Sequence, residues 1–469
     1  MKKNIAVSIL DANDISALMR QVKLVEEKLQ KIPEKMRESF FELVMHFDVM
    51  DQKFVPGKGI ALEYLVEAKH LGFYTDTHLM VKSPIVDKYI DRAIDLGTDA
   101  ITIHYEIECL ESVLCYLNQK KVQLKEEKGK ELRIGVSVKP NTPLEVLVPY
   151  QEQFEHILIM TVEPGCGGQA YIADMNEKIQ EAKQRFPNHS VQIDGGVQLD
   201  TMIRPIQLGV DSLVMGSFLS KRRETDLYDV ILQCNLQKQL AVLPREENID
   251  FDANLLQIIP GGYGEGDILL GLRSPVLRKL EDDFWKYMTL YSLEYYIDSP
   301  YHEYRKLACF FLARIAKSKQ ARYTKQELVN FLEQHITSIN NWDLTDIVGP
   351  HVLGSYWMTL EKDVAKQKLE AYLTDDSIWV KRMGIVSLLQ YAREGDVTFV
   401  LEVLKDMLYD SHPLLQKASG WVLREAYKKD PVAVVDYLTV HQKNKKLPST
   451  LVSYACEKMS QRERKQIKQ

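Results

Sequence analysis

Eight short runs rich in apolar and β-branched residues recur through the first 220 residues, each followed by a stretch with helical spacing. No other feature restricts the first half of the chain as much. The runs are IAVSIL (5–10), ELVMHFDVM (42–50), YTDTHLMV (74–81), AITIHYE (100–106), RIGVSVKP (133–140), HILIMTVEP (156–164), SVQIDGGV (190–197) and SLVMGSFL (212–219). Strands that alternate with helices pair in parallel, and eight such units predict a (β/α)8 TIM barrel. Chemistry in that fold sits at the C-terminal ends of the strands, where the unusual polar residues of this half lie.

From about residue 265 the strand signal stops, and helical patterns such as HEYRKLACFFLARIAKS, WVKRMGIVSLLQYA and PLLQKASGWVLREAYK follow one another. Helix pairs at roughly 35–45 residues each predict an all-α, HEAT-like repeat solenoid with a concave binding surface. Between the halves, LPREENIDFD and PGGYGEG are rich in acids, Gly and Pro. The expected division is a barrel over 1–235, a linker and lead-in over 236–264, and a helical domain over 265–469.

At 45% hydrophobic and 27% charged residues the chain reads as soluble and globular, and no apolar run approaches a membrane span. The start, MKKNIAVSIL, resembles a signal peptide only until Asp11 and Asp14 interrupt it, so it reads as a buried first strand. Six scattered cysteines without a CxxC pair predict reduced thiols in a cytoplasm rather than disulfides or a thiolate metal site. Residues 241–469 hold 31 basic and 31 acidic groups, so the net charge of −6 belongs to the first 240 residues. Residues 411–469 hold 12 basic and 5 acidic groups, a basic end able to meet a polyanion.

His46 and Asp48 lie two apart in HFDVMD, hence on one face of the second strand. His78 closes the third run and Asp194 the seventh. In a barrel these four converge, and two imidazoles with two carboxylates suit one divalent ion: Zn²⁺, Fe²⁺ or Mn²⁺. Two aspartates on opposite sides of a ligand also form an acid/base pair, with the metal stabilising the enediolate between two proton transfers. The Gly-rich turns PGCGGQ (164–169) and GS (216–217) can bring backbone N–H groups close to an anion. Met50, Met80 and Met160 fall beside the ligand positions, either as an apolar lid or as core.

VSIL, HFDVMDQKFVP, THLMV, IHYE, VEPGCGGQ, DGGV and GS resemble, in order, the motifs of ribulose-phosphate 3-epimerases. The resemblance implies His46, Asp48, His78 and Asp194 as metal ligands, and Asp48 with Asp194 as the acid/base pair. It implies Ser8 and His78 in contact with substrate, and Gly167, Gly168, Gly196, Gly216 and Ser217 around the phosphate. The implied reaction interconverts D-ribulose 5-phosphate and D-xylulose 5-phosphate in the pentose phosphate pathway. Three departures stand out: Gln52 where the family usually has Gly, Cys166 where it usually has Phe, and a lengthened KLQKIPEKMRES stretch between the first two strands. They leave a hexulose phosphate of the allulose 6-phosphate type as the alternative substrate.

In the helical half, NNWDLTD sets Trp342 and Asp346 at i and i+4, one above the other on a helix face. WVKR places Arg382 three residues after Trp379, and GWVLRE offers Trp421 and Arg424. On spacing alone such tryptophans are core. YGEGD, LGLRSPVLRKL, SPYHEYRKLA, NNWDLTD, WVKRMGI and KASGWVLREAYKKDP, however, resemble the AlkD-type DNA alkylation repair family over roughly 255–465. That resemblance implies a cleft of Trp342, Asp346, Arg382 and Trp421 that excises N3- or N7-alkylated purines from double-stranded DNA without a cofactor. Indole faces would hold the cationic base, Asp346 would stabilise the sugar's developing charge, and Arg382 and Arg424 would bind phosphates. The alternative is a non-catalytic DNA- or protein-binding scaffold. The whole reads as a cytoplasmic bifunctional fusion, with a homo-oligomeric barrel left open.

Overall fold

The computed structural model describes residues 2–82, 88–222, 224–319 and 322–468. It divides into two compact units, Met1–Leu243 and Pro244–Gln469.

The first unit carries strands β1 (Asn4–Ser8), β2 (Glu42–Met50), β3 (Thr75–Met80), β4 (Ala100–His104), β5 (Arg133–Val138), β6 (His156–Met160), β7 (Ser190–Asp194) and β8 (Ser212–Met215). They close in sequence order into a barrel, every neighbouring pair parallel. Register sets Ser8 beside His46, Asp48 beside His78, and Met160 beside Asp194. Several strands end sooner than their apolar runs, and residues beyond their ends such as Val162 and Val197 are buried all the same.

Alternate residues of a strand face the same side, so Ala6, Val44 and Val214 meet as one buried cluster while Ile5, Val7 and Leu43 belong to the opposite faces. The row containing Ala6 also contains Asn4 and Ser8, and the corresponding rows elsewhere are equally polar at their ends. Near the N-terminal strand ends, Gln192 donates to Asp76 (2.8 Å) and to Ser212 (3.0 Å), and Ser212 donates to Asn4 (2.6 Å). His156 pairs with Thr102 at 2.7 Å. Its ring occupies the space above Gly135, where a Cβ would lie 2.1 Å from the imidazole Nε2. Helix Ile15–Leu29 is capped by Asp14, which accepts from Ala17 N–H, and a short helix Glu34–Arg37 follows in the lengthened stretch. Helix Glu224–Val242 runs past residue 236, where the sequence placed the start of a linker. Leu236 and Leu240 are fully buried on it, which keeps those turns with the barrel.

The second unit is helical, with one isolated bridge, Ile268 to Tyr301, among the described residues. Helices His302–Lys317, Trp342–Val348, Ile378–Glu394 and Pro413–Tyr427 carry the residues of interest. After Trp342–Val348 the chain makes a π-helical turn, Gly349–Gly354. A Cβ on Gly349 would lie 2.4 Å from Val386 Cγ2 and one on Gly354 2.5 Å from Ser387 O, so bare glycines let helix Ile378–Glu394 pack close. A buried polar network fixes the preceding helix. His302 bridges Asp267 and Asp343 at 3.1 Å each, Lys306 pairs with Asp343 at 2.9 Å, and Arg305 bonds Asp267 and Asn340. Among the described residues no helix is long and apolar enough to cross a membrane.

Candidate functional site

His46 and Asp48 stand two apart on β2, His78 on β3 and Asp194 at the end of β7, and one ligand atom from each lies within 4.8 Å of the others. His46 Nε2 is 3.3 Å from Asp48 Oδ1 and 4.0 Å from Asp194 Oδ2, while His78 Nδ1 is 3.3 Å and 3.7 Å from the same two carboxylates. Ligands around a tetrahedral ion with bonds of ~2.0–2.2 Å sit roughly 3.4 Å apart, so the set needs little movement to close on one. His46 Nε2 is buried and has no hydrogen-bond partner. When the ring is neutral, that nitrogen turns a lone pair on two carboxylates, an arrangement a cation relieves. The donor set fits a divalent ion.

Each imidazole is braced from behind. His46 Nδ1–H donates to Asp76 Oδ2 at 2.9 Å, which leaves Nε2 for the centre. His78 is turned the other way: Nδ1 faces the carboxylates, and Nε2 meets His104 Nε2 at 2.9 Å. His104 Nδ1 in turn reaches Glu106 at 3.1 Å. Carboxylate braces of this kind fix the ligating nitrogen. Asp76, His104 and Glu106 were not singled out from the sequence, although the spacing of D-x-H and H-x-E at strand ends carries the signal.

Burial works against ionising Asp48, but His46 and His78 outweigh it and hold its carboxyl well below the usual range. Asp194 is pushed up to about 6, first by burial and then by the Asp48 charge. Burial likewise opposes the His46 cation, yet Asp48 and Asp76 raise its pKa well above that of free imidazole. Two carboxyl groups with separated proton affinities are what an acid/base pair requires.

Above the cluster lies a cavity of about 690 Å³ lined by Ser8, Asp48, Asp194 and all five residues expected at the phosphate, Gly167, Gly168, Gly196, Gly216 and Ser217. Ser8 Oγ donates to Asp48 Oδ2 at 2.7 Å. Gly196 has φ +67°, and a Cβ there would lie 2.3 Å from Tyr171 N, so only glycine lets these loops meet. Lys221, absent from the sequence-based set, lines the same cavity and brings a cation near Gly168. Met50, Met80 and Met160 line it too. Gln52 keeps a left-handed backbone, φ +59°, at the position where the epimerase motif has glycine.

In the second unit Asp346 and Arg382 form a two-pronged ion pair: Nε to Oδ1 at 3.0 Å and Nη2 to Oδ2 at 2.9 Å. Arg382 Nη1 bonds Leu414 O on helix Pro413–Tyr427. Arg382 is therefore buried, with three of its five N–H groups engaged within the second unit. Arg424 is likewise taken by Glu457 and Glu425. Burial raises the Asp346 pKa against the pull of Arg382. Trp342, one turn before Asp346, is half-buried, and its indole N–H points to Leu255 O at 3.4 Å. Tyr263 joins it on that carbonyl and meets Trp379 edge-on at 5.3 Å. Trp421 is half-buried on helix Pro413–Tyr427.

The profile of the ribulose-phosphate 3 epimerase family matches residues 4–220, and that of the DNA alkylation repair enzyme family matches residues 236–459. The ribulose-phosphate 3-epimerase of Schizosaccharomyces pombe is 34% identical over 179 residues, 37% of this chain and 73% of that protein. The one from Bacillus subtilis is 32% identical over 220 residues, 45% of this chain and 90% of that protein. The structure of a predicted DNA alkylation repair enzyme from Enterococcus faecalis aligns with 47% of this chain and all of that one, at 16% identity and a TM-score of 0.37. Through its first unit the chain belongs to the ribulose-phosphate 3-epimerase family, and it continues into a helical region that matches the DNA alkylation repair enzyme family.

Proposed function

We propose that the first unit interconverts D-ribulose 5-phosphate and D-xylulose 5-phosphate, and that the second, a separately folding HEAT-like domain, releases alkylated purines from DNA. The observation that carries the first assignment is one cavity joining the His46–Asp48–His78–Asp194 cluster to the glycine turns. The turns and Lys221 hold the phosphate and so place C3 of the sugar between two carboxyl groups. One of Asp48 and Asp194 takes the C3 proton, and the other delivers a proton to the opposite face. Ser8, bonded to Asp48, orients the carboxylate that faces the substrate. A divalent ion held by the four side chains supplies Lewis-acid charge to the oxygens beside C3. Replacing Asp194 by Asn removes one proton carrier, and turnover should fall at least ~10²-fold, the low end for a positioned acid or base. An Asp194→Asn protein with unimpaired turnover after chelation would refute the assignment.

The second assignment rests on the Asp346 carboxylate, mostly buried one turn from Trp342 and clamped by Arg382. A fixed carboxylate beside indole faces suits a cationic base leaving a sugar. Release of 7-methylguanine from alkylated DNA by the full chain, lost in Asp346→Asn with DNA binding retained, is the test.

A further inference from the structure

His78 differs from His46 in the nitrogen it offers. It turns Nδ1 toward the centre, 3.3 Å from Asp48 Oδ1 and 3.7 Å from Asp194 Oδ2. Its Nε2 lies 2.9 Å from His104 Nε2. A bond between two ring nitrogens takes one proton and one lone pair. That contact alone does not say which ring gives the proton, and both rings are fully buried.

The other edge of His104 decides it. His104 Nδ1 meets Glu106 Oε2 at 3.1 Å. The remaining oxygen, Oε1, accepts the Lys139 N–H at 2.9 Å and the Thr142 hydroxyl. Burial opposes the charge on Glu106, but His104, Thr142 and the Lys139 N–H outweigh it and hold its carboxyl down to about 2. An ionised carboxylate only accepts, so His104 carries a proton on Nδ1. From the metal end the requirement agrees: a nitrogen that ligates a cation holds no proton. His78 must therefore keep its proton on Nε2, and His104 Nε2 must accept it. Lys178, on helix Met175–Arg185, donates to the carbonyls of Lys139, Pro140 and Thr142 at 2.7, 3.1 and 2.5 Å. It pins the segment that grips Glu106.

We propose that Glu106 and His104 are positioning residues for the metal centre: the carboxylate fixes the proton on His104, and His104 keeps the ligating nitrogen of His78 free of one. This deepens the epimerase reading and rests on its metal centre. An amide at position 106 reverses the order. In Glu106→Gln the amide oxygen still accepts from Lys139 and Thr142, and the amide nitrogen faces His104 Nδ1 as a donor. His104 then holds its proton on Nε2 and His78 on Nδ1, where the ion should bind. One isosteric change thus shifts two protons and turns one of them toward the metal.

The test labels the histidines of the full chain with the heavy nitrogen isotope and reads each tautomer by long-range proton–nitrogen NMR. Zn²⁺ affinity is measured beside it by competition with a chelator. In the Zn²⁺-loaded chain His104 should carry its proton on Nδ1 and His78 on Nε2. Glu106→Gln should reverse both in the metal-free chain and lower Zn²⁺ affinity about 10-fold or more, as for other outer partners of a ligating histidine. Glu106→Asp keeps the charge, so it should keep both tautomers and lose less affinity than Glu106→Gln. Where Glu106→Gln does not fold, the tautomers of the unaltered chain and of Glu106→Asp decide. A proton on His104 Nε2 in the loaded chain overturns the proposal, and so does a Glu106→Gln chain with unchanged affinity. Equal losses in both variants with tautomers intact would make Glu106 a packing residue and overturn it too. An unaltered chain that binds no Zn²⁺ overturns the metal centre and the proposal together. None of these readouts needs a sugar phosphate: turnover with the wrong tautomers refutes the proposal alone, and the right tautomers without turnover refute only the epimerase reading.

Discussion

Removing one member of the Asp346–Arg382 pair should be far more damaging than removing both. The two hydrogen bonds, at 3.0 and 2.9 Å, join side chains that are 18% and 6% exposed. Loss of one partner from a buried pair costs about 3–5 kcal/mol, because the survivor stays desolvated and unpaired. Asp346 keeps some contact with water, so the low end, about 3 kcal/mol, applies to Arg382→Met. For a unit of this length, Pro244–Gln469, each kcal/mol moves Tm by about 2–4 °C, so a fall of roughly 6–12 °C is expected. The double variant Asp346→Leu/Arg382→Met should recover most of that loss. Calorimetry on the two single variants and the double variant gives the coupling directly. Chemistry should follow a different order. Arg382→Met leaves burial of Asp346 unopposed, so its carboxyl holds a proton to higher pH and base release shifts toward alkaline conditions. Asp346→Leu should abolish release at any pH. Equal stability across the single and double variants would refute the pairing argument. So would an Arg382→Met protein that loses DNA affinity but releases base with an unshifted pH profile.

Burial opposes the His302 cation, but Asp267 and Asp343 outweigh it and, despite Arg305 and Lys306 nearby, raise its pKa. Its contribution to stability is therefore complete below the unfolded value of ~6.5 and lost as pH rises through the folded pKa. Tm should decline across that interval, and His302→Gln should flatten the decline. Gly196→Ala should raise KM for the sugar phosphate much more than it lowers kcat, since it disturbs the phosphate turns rather than the carboxyl pair; unchanged KM would place the phosphate elsewhere. Gln52→Gly should raise the stability of the barrel by up to ~1 kcal/mol, because the left-handed backbone costs a side chain about 1–2 kcal/mol and glycine gives back part of that in chain entropy; a destabilised variant would show that Gln52 makes a compensating contact.

Short apolar, β-branched runs separated by helical stretches were enough to place eight strands and the four residues that meet at their ends. His46 and Asp48 were legible because two residues on a strand share a face and the C-terminal end is the functional end. Asp76 and the His104–Glu106 pair were missed because they act on other side chains, and which imidazole nitrogen faces inward depends on register between strands. In the helical half, repeat spacing aligned Trp342 and Arg382, but spacing says nothing about occupancy. Asp346 is paired with Arg382 and Glu457 with Arg424, carboxylate partners that repeat spacing does not announce. Tyr263 and Trp379 share one small aromatic cluster although 116 positions separate them, a contact no local pattern encodes.

Gly135 and His156 have a consequence for how this barrel can change over time. The ring above Gly135 lies where any other residue's first carbon would go. Mutation at 135 is closed while the histidine stands. A shorter residue at 156 opens it, but once the space beside β5 is filled, the imidazole has no way back. The two positions therefore form a ratchet in sequence space: the order of substitutions is forced, and its first step gives up the Thr102 bond before anything replaces it. Lineages that cross this step leave with a differently packed lower barrel.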